Sequence, residues 1–200
     1  MDYASLNSLQ LDALREVTNI GAGNAATALS QLLNKKVDMT VPAVNIINFD
    51  EIFTSDAEEK IVIGILVRVL GDAPGNILFV FEQEVAENII TTLTGSRENP
   101  IDDMGISVLC EIGNIISGSY MNAIATLTNL RLMPSVPAVA NDMLGAILTT
   151  TFIETAQFSE NVLEIQTMLV ENKDEKIGGD FYYIPMPGSL EKILNSIGVN

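Results

Sequence analysis

The chain has 200 residues, 48% of them hydrophobic and 18% charged, a composition that fills a hydrophobic core and excludes a disordered polymer. Ten Lys and Arg against 26 Asp and Glu leave a net charge of −16, which repels phosphate backbones and anionic headgroups and sets aside nucleic acid and membrane surfaces as partners. Histidine is absent and Cys110 is the single cysteine, so Ser–His and Cys–His nucleophiles, histidine-ligated zinc, cysteine-cluster metal sites and intrachain disulfides are all excluded. The polar amino terminus MDYASLNSLQ is unlike a signal peptide, and no apolar run reaches the length of about 18 residues that a membrane span needs. The expected location is the cytoplasm.

From about residue 8 to 33 apolar residues recur at helical spacing, Leu9, Ala13, Val17 and Ile20 among them, and predict a long first helix. Pro42 marks entry into extended structure, and strands are expected at 37–49, 60–70 (KIVIGILVRVL) and 76–82 (NILFVFE), with Gly71-Asp72-Ala73-Pro74-Gly75 as a turn. A helix at about 83–95 closes on Gly95, and the polar stretch Ser96–Asp103 leads into a second long helix at about 103–129, patterned by Val108, Ile112 and Ile115. Beyond it, strands are expected near 131–140, 145–157, 161–172 and 180–186, and a last helix near 188–197. Gly178-Gly179, after an acidic and lysine-rich run, reads as the final hairpin turn. Several strands are apolar throughout, so part of the sheet should be covered on both faces.

Residues 12–44 and 107–139 align without a gap at an offset of 95 and match at about a third of positions. The matches include Glu16/Glu111, Asn19/Asn114, Ile20/Ile115, Gly23/Gly118, Ala28/Ala123 and a closing Val-Pro-Ala-Val. The chain therefore reads as an internal duplication, one domain over 1–200 made of repeats at about 1–97 and 98–200. The expected class is α/β or α+β: two α-β-β-β units related by a pseudo-twofold, sharing one sheet, with both long helices on one side. A chain that satisfies its own twofold is expected to be a monomer.

Each helical residue advances by about 100°, so positions i, i+4 and i+7 fall within a narrow sector. Asp12, Glu16 and Asn19 obey that spacing, as do Ser107, Glu111 and Asn114, and Gly23 and Gly118 extend each stripe. Polar residues opposite an apolar stripe are the ordinary look of a solvated helix face. Retention of the same Glu and Asn in two divergent halves argues for more than solvation, and a mid-helix glycine that costs about 1 kcal/mol argues for a partner that approaches closely. Gly21-Ala22-Gly23-Asn24-Ala25-Ala26 matches the dinucleotide fingerprint in letters, but that motif works where a strand turns into a helix, and here helical pattern precedes it. Cys110, beside Glu111, reads as a packed thiol.

The doubled pattern Asp/Ser-x-x-x-Glu-x-x-Asn, followed by 22 residues and a proline, resembles the signature of the CheC/CheX/FliY family of chemotaxis phosphatases. It occurs as Asp12, Glu16, Asn19 and Pro42, and as Ser107, Glu111, Asn114 and Pro137. The resemblance extends through GNAATALSQLLNKKV and IPMPGSL, and two intact sites in a chain of this length look most like the CheC type. It implies hydrolysis of the aspartyl phosphate on the response regulator CheY, and the receptor deamidase CheD as a second partner. It also implies that Mg²⁺ and an active-site lysine arrive with the regulator, so the phosphatase needs no metal or cofactor of its own.

On this reading Asn19 and Asn114 orient the attacking water, since a carboxamide both accepts from water and donates to a phosphoryl oxygen with no proton to manage. Glu16 and Glu111 pair with the regulator's lysine, and Asp12 and Ser107 add a polar contact. Gly23 and Gly118 leave room for the regulator's loop, and the prolines are structural. The alternative is an adaptor of the same shape that sequesters CheD or the phosphorylated regulator with little turnover.

Overall fold

The computed structural model describes residues 6–48, 59–96, 98, 100–156, 161–171 and 175–199. In chain order these form α1 (Ser8–Leu33), β1 (Val37–Asn48), β2 (Ile61–Gly71), β3 (Gly75–Glu82), α2 (Gln83–Thr94), α3 (Asp103–Thr128), β4 (Leu132–Pro134), β5 (Ala138–Met143), α4 (Leu144–Ala156), β6 (Asn161–Glu171), β7 (Glu175–Pro185) and α5 (Ser189–Ser196). The strands make one sheet in the order β1-β6-β7-β3-β2-β4, with β5 also on β2, and every pair is antiparallel. The class is thus α+β.

Both long helices lie where their sequence puts them, and their ends have identifiable causes. Asn7 caps α1 in a capping box: its side chain accepts from the Gln10 amide, and the Gln10 side chain accepts from the Asn7 amide, both at 2.9 Å. Asp102 caps α3 by accepting from the Gly105 amide at 2.9 Å. Each helix stops on an asparagine in the left-handed region, Asn34 at φ 50° and Asn129 at φ 57°, the only non-glycine residues of positive φ among those described. Gly95 ends α2 in the same conformation.

Sheet pleating explains strands that read as apolar without alternation. Ile63, Ile65, Val67 and Val69 of β2, with Ile77, Phe79 and Phe81 of β3 and Phe181 and Tyr183 of β7, pack under α1 and α3 in the main core. The residues between them, Val62, Leu78, Val80, Tyr182 and Ile184, point the other way into a second core closed by Ile147 and Leu148 of α4. Both faces of the central strands are buried, as the unbroken apolar runs require.

Two sequence expectations fail here. The segment expected as a strand at 145–157 is the helix α4, up to Ala156; residue 157 lies outside the described residues. Its β-branched run Thr149-Thr150-Thr151 is accommodated with each hydroxyl donating to the carbonyl four residues back, at 2.7–2.8 Å, and the helix is favoured because Ile147, Leu148 and Thr151 fall on one buried face. Gly178-Gly179 is no turn either: Gly178 pairs with Met168 and Gly179 with Thr167, inside the β6–β7 ladder. That ladder runs to Glu171 opposite Glu175; residues 172–174 lie outside the described set, as does residue 49 at the end of the first expected strand. Strand β7 accordingly starts five residues before the expected 180, at Glu175.

The apolar pattern that predicted α1 also needs correction. Val17 is buried, but Leu9 is 63% exposed and Ile20 is exposed, while the core side of α1 is made by Leu14, Ala22, Ala25 and Leu29. Small residues on that side let α1 and α3 approach closely. A Cβ built on Gly21 would lie 2.8 Å from Tyr120 Cδ1 and 3.0 Å from Tyr120 Cα. The Tyr120 ring is in turn stacked on Phe181 at 4.4 Å between centroids. With the inner face built from glycine and alanine, two of the largest apolar side chains on α1 are left outside.

Candidate active site

Facing the core and each other with their small and aliphatic sides, α1 and α3 turn their polar stripes to solvent. Asp12, Glu16, Asn19 and Gly23 are exposed, as are Ser107, Glu111 and Asn114, with Gly118 half-buried. The structure brings each expected set together on one helix face. The side chains of Glu16, Asn19, Glu111 and Asn114 make no hydrogen bond or ion pair with another described residue. Four groups able to bind a partner therefore stand on two rigid 26-residue helices without being consumed by the fold.

The auxiliary positions differ. Asp12 is an exposed carboxylate, whereas Ser107 donates its hydroxyl to the Asp103 carbonyl at 2.8 Å and keeps only acceptor capacity for a partner. The glycines of the stripes have open space above them: nothing lies within 4 Å of a Cβ built on Gly23 or on Gly118. Neither is required by the packing of this chain. The glycines that are required lie on the inner side, Gly21 against Tyr120 and Gly113, whose Cβ would stand 2.6 Å from Ile65 Cγ2. The dinucleotide-like run 21–26 lies in the middle of α1, so its amides belong to helix hydrogen bonds and cannot cradle a phosphate.

Pro137 connects the second stripe to the sheet. It is buried, it would sit 3.5 Å from a Cβ on Gly113, and its carbonyl accepts from Cys110 Sγ at 3.8 Å. Cys110 is thus half-buried and engaged with the strand connection next to Glu111. The proline falls in the gap between β4 and β5, over residues 135–137, where Ser135 exchanges hydrogen bonds with Arg68. Ninety-five residues earlier, β1 carries an irregularity between Thr40 and Ala43, the stretch that contains Pro42.

Electrostatically the two stripes have different settings. Arg15 is exposed one residue before Glu16, while no basic residue occurs anywhere between positions 97 and 131. Among the described residues no three or more Asp, Glu and Cys side chains come together as a metal-holding group. No described helix is long and apolar enough to cross a membrane.

The outer face also holds large apolar side chains, Leu9 of the α1 apolar pattern among them. Leu9 is 63% exposed and Met104, at the equivalent place on α3, is 62% exposed. Their signal in the sequence is positional: each lies seven residues before a stripe glutamate, on the same side of its helix.

The model of the CheC-like family matches residues 9–46 and 104–140, the two helix-to-strand segments that carry the stripes. The chain is 37% identical to the CheY-P phosphatase CheC of Bacillus subtilis (strain 168), over 99% of this chain and 98% of that one. Among solved structures it resembles Thermotoga maritima FliY, with a TM-score of 0.80 at 20% identity over 97% of this chain and 98% of that one. It also resembles the CheX-CheY-BeF3-Mg+2 complex of Borrelia burgdorferi, at a TM-score of 0.55 and 16% identity, over 86% of this chain and 96% of that one. With its two stripes, its antiparallel sheet and full-length similarity to a CheC, the chain belongs to the CheC-like family.

Proposed function

We propose that this protein hydrolyses the aspartyl phosphate of a CheY-type response regulator, at two sites built on α1 and α3. The observation that carries the reading is the doubled exposed Glu-x-x-Asn, unused by the fold, on a chain 37% identical over its length to a CheY-P phosphatase. An acyl phosphate is activated already, so the enzyme need only hold a water in line with phosphorus. Asn19 or Asn114 accepts a hydrogen bond from that water and donates its amide to a phosphoryl oxygen. Glu16 or Glu111, one turn earlier, pairs with a lysine of the regulator and fixes the helix over the phosphorylated aspartate; beside a phosphoryl group a carboxylate anchors better than it attacks. Asp12 extends the polar contact, and Ser107 does so as an acceptor. Mg²⁺ belongs to the regulator in this scheme.

The reading includes an internal duplication with a pseudo-twofold axis and a monomeric, cytoplasmic chain. It is supported by equal helix lengths, by caps at Asn7/Asp102 and Asn34/Asn129 each 95 apart, and by a strand order that reads the same from either edge when β1 is equated with β4–β5, β2 with β6 and β3 with β7. At the centre, Val80 pairs with Asp180, positions one hundred apart. CheD binding is carried over from the family resemblance.

The competing reading is an adaptor that sequesters CheD or the phosphorylated regulator. The two are separated by the regulator-phosphate lifetime with this protein at a hundredth of the regulator concentration. Many turnovers per protein support the enzyme; an effect proportional to the amount of protein bound supports the adaptor.

A further inference from the structure

We infer that Leu9 and Ile20 on α1, and Met104 and Ile115 on α3, form an apolar border to each site on which the regulator's surface docks beside its phosphoaspartate. The inference rests on the phosphatase reading and adds what supplies affinity. Leu9 precedes Glu16 by seven residues and Ile20 follows it by four, so on a helix advancing about 100° per residue both lie within about 40° of the glutamate. Met104 and Ile115 bear the same relation to Glu111. A partner that sets its phosphoryl group over Asn19 and its lysine against Glu16 covers the adjacent turns on either side, and so covers these residues.

Leu9 and Met104, in the first turns of their helices, are 63% and 62% exposed, more than any other large apolar side chain of α1 and α3; Ile20 is 37% exposed, and Ile115 is half-buried and packed in part against the main core. The fold gains little from Leu9 or Met104, yet a large apolar side chain occupies both equivalent positions. Charge explains why they are useful. With a net charge of −16 the protein offers no Coulombic attraction to the phosphoryl group itself. Desolvation of an apolar rim supplies affinity that is independent of charge and adds to that of the Glu–lysine pair. The occupant is the receiver surface of the regulator that flanks its phosphorylated aspartate, because these residues stand on the turns next to the glutamates it engages.

The test uses the full chain and regulator loaded with beryllofluoride for binding, or with phosphate for turnover. Leu9→Ser with Met104→Ser should weaken binding and raise KM about tenfold, with kcat at saturating regulator held at the parent value and the thermal midpoint unmoved. The conservative pair Leu9→Met with Met104→Leu should restore parental KM. Parental KM and Kd in the serine variant would overturn the inference and leave the phosphatase reading standing. Failure of the parent protein itself to shorten the regulator-phosphate lifetime would instead defeat the reading on which the inference rests. A fall in kcat at unchanged KM would also overturn it, by placing these residues in the chemistry rather than in docking.

Discussion

Two glycines on one helix, two residues apart, should respond to the same substitution with opposite signs. In Gly21→Ala the new methyl would stand 2.8 Å from Tyr120 Cδ1 and 3.0 Å from Tyr120 Cα, against ordinary van der Waals contact of about 3.4–4 Å. The Cα belongs to the backbone of α3 and the ring is stacked on Phe181, so neither can turn aside and the two helices must separate by several tenths of an ångström. Overpacking of this kind costs about 1–3 kcal/mol, offset by about 1 kcal/mol of helix propensity. The net loss is up to about 2 kcal/mol, a fall in thermal midpoint of up to roughly 4–8 °C for a domain of this size. In Gly23→Ala the methyl meets nothing within 4 Å, and the propensity gain stands alone as a rise of roughly 2–3 °C. On the proposed reading, in which the regulator's loop enters the space above them, Gly23→Ala and Gly118→Ala on α3 should nevertheless lower phosphatase turnover. Thermal unfolding followed by circular dichroism and regulator-phosphate lifetime on the same preparations decide the matter. A midpoint that rises equally in Gly21→Ala and Gly23→Ala would refute the helix-packing argument, and a Gly23→Ala, Gly118→Ala double variant of full activity would refute the close-approach role.

Reversing the charge of both anchors, Glu16→Lys with Glu111→Lys, should weaken binding of beryllofluoride-loaded regulator by roughly 10- to 100-fold, the worth of a charge-assisted hydrogen bond lost to repulsion, as measured by calorimetry. Retention of parental affinity would remove the anchoring role. Asp72, in the β2–β3 turn, accepts from the Arg131 amide at 2.8 Å and lies 3.8 Å from Lys192 Nζ. The Arg131 amide, helped by the charges of Lys192 and Arg131, holds its carboxyl below the usual range. A carboxyl with a depressed folded pKa stabilises above its unfolded value and loses that contribution as pH falls through the folded one. Asp72→Asn should therefore be less stable than the parent at neutral pH, with the gap closing as pH falls below the ordinary carboxylate range. Midpoints that differ by the same amount at pH 7 and pH 2 would contradict this.

The long helices and most strands were legible because their signals are local: periodicity, the Gly71–Gly75 turn, and Gly95 at a helix end. The candidate site could be picked out because Glu16, Asn19, Glu111 and Asn114 carry a spacing that repeats at a fixed offset. What escaped depends on distant residues. Strand β1 pairs with β6, more than a hundred residues later, and nothing in either announces the other. Segment 145–157 has strand-like composition, and only its docking on Leu78 and Tyr182 gives a helix a face to bury. Leu9 and Ile20 read as core because they are apolar at helical spacing, but Gly21, Ala22 and Ala25 turn the adjacent face inward, where small residues admit α3. Gly178-Gly179 read as a turn because the charged run before it bears no glycine.

The central claim is that Asn19 and Asn114 hold the attacking water. Its most direct test is the lifetime of the phosphorylated regulator with the Asn19→Ala, Asn114→Ala variant at substoichiometric concentration, alongside calorimetric affinity for the beryllofluoride-loaded regulator. Both asparagines are exposed and bear no packing, so the variant should fold and bind as the parent does. Turnover should fall by about 100-fold or more, the usual cost of removing a group that orients or stabilises the reacting atoms. Parental turnover in the double variant at parental affinity would contradict the account.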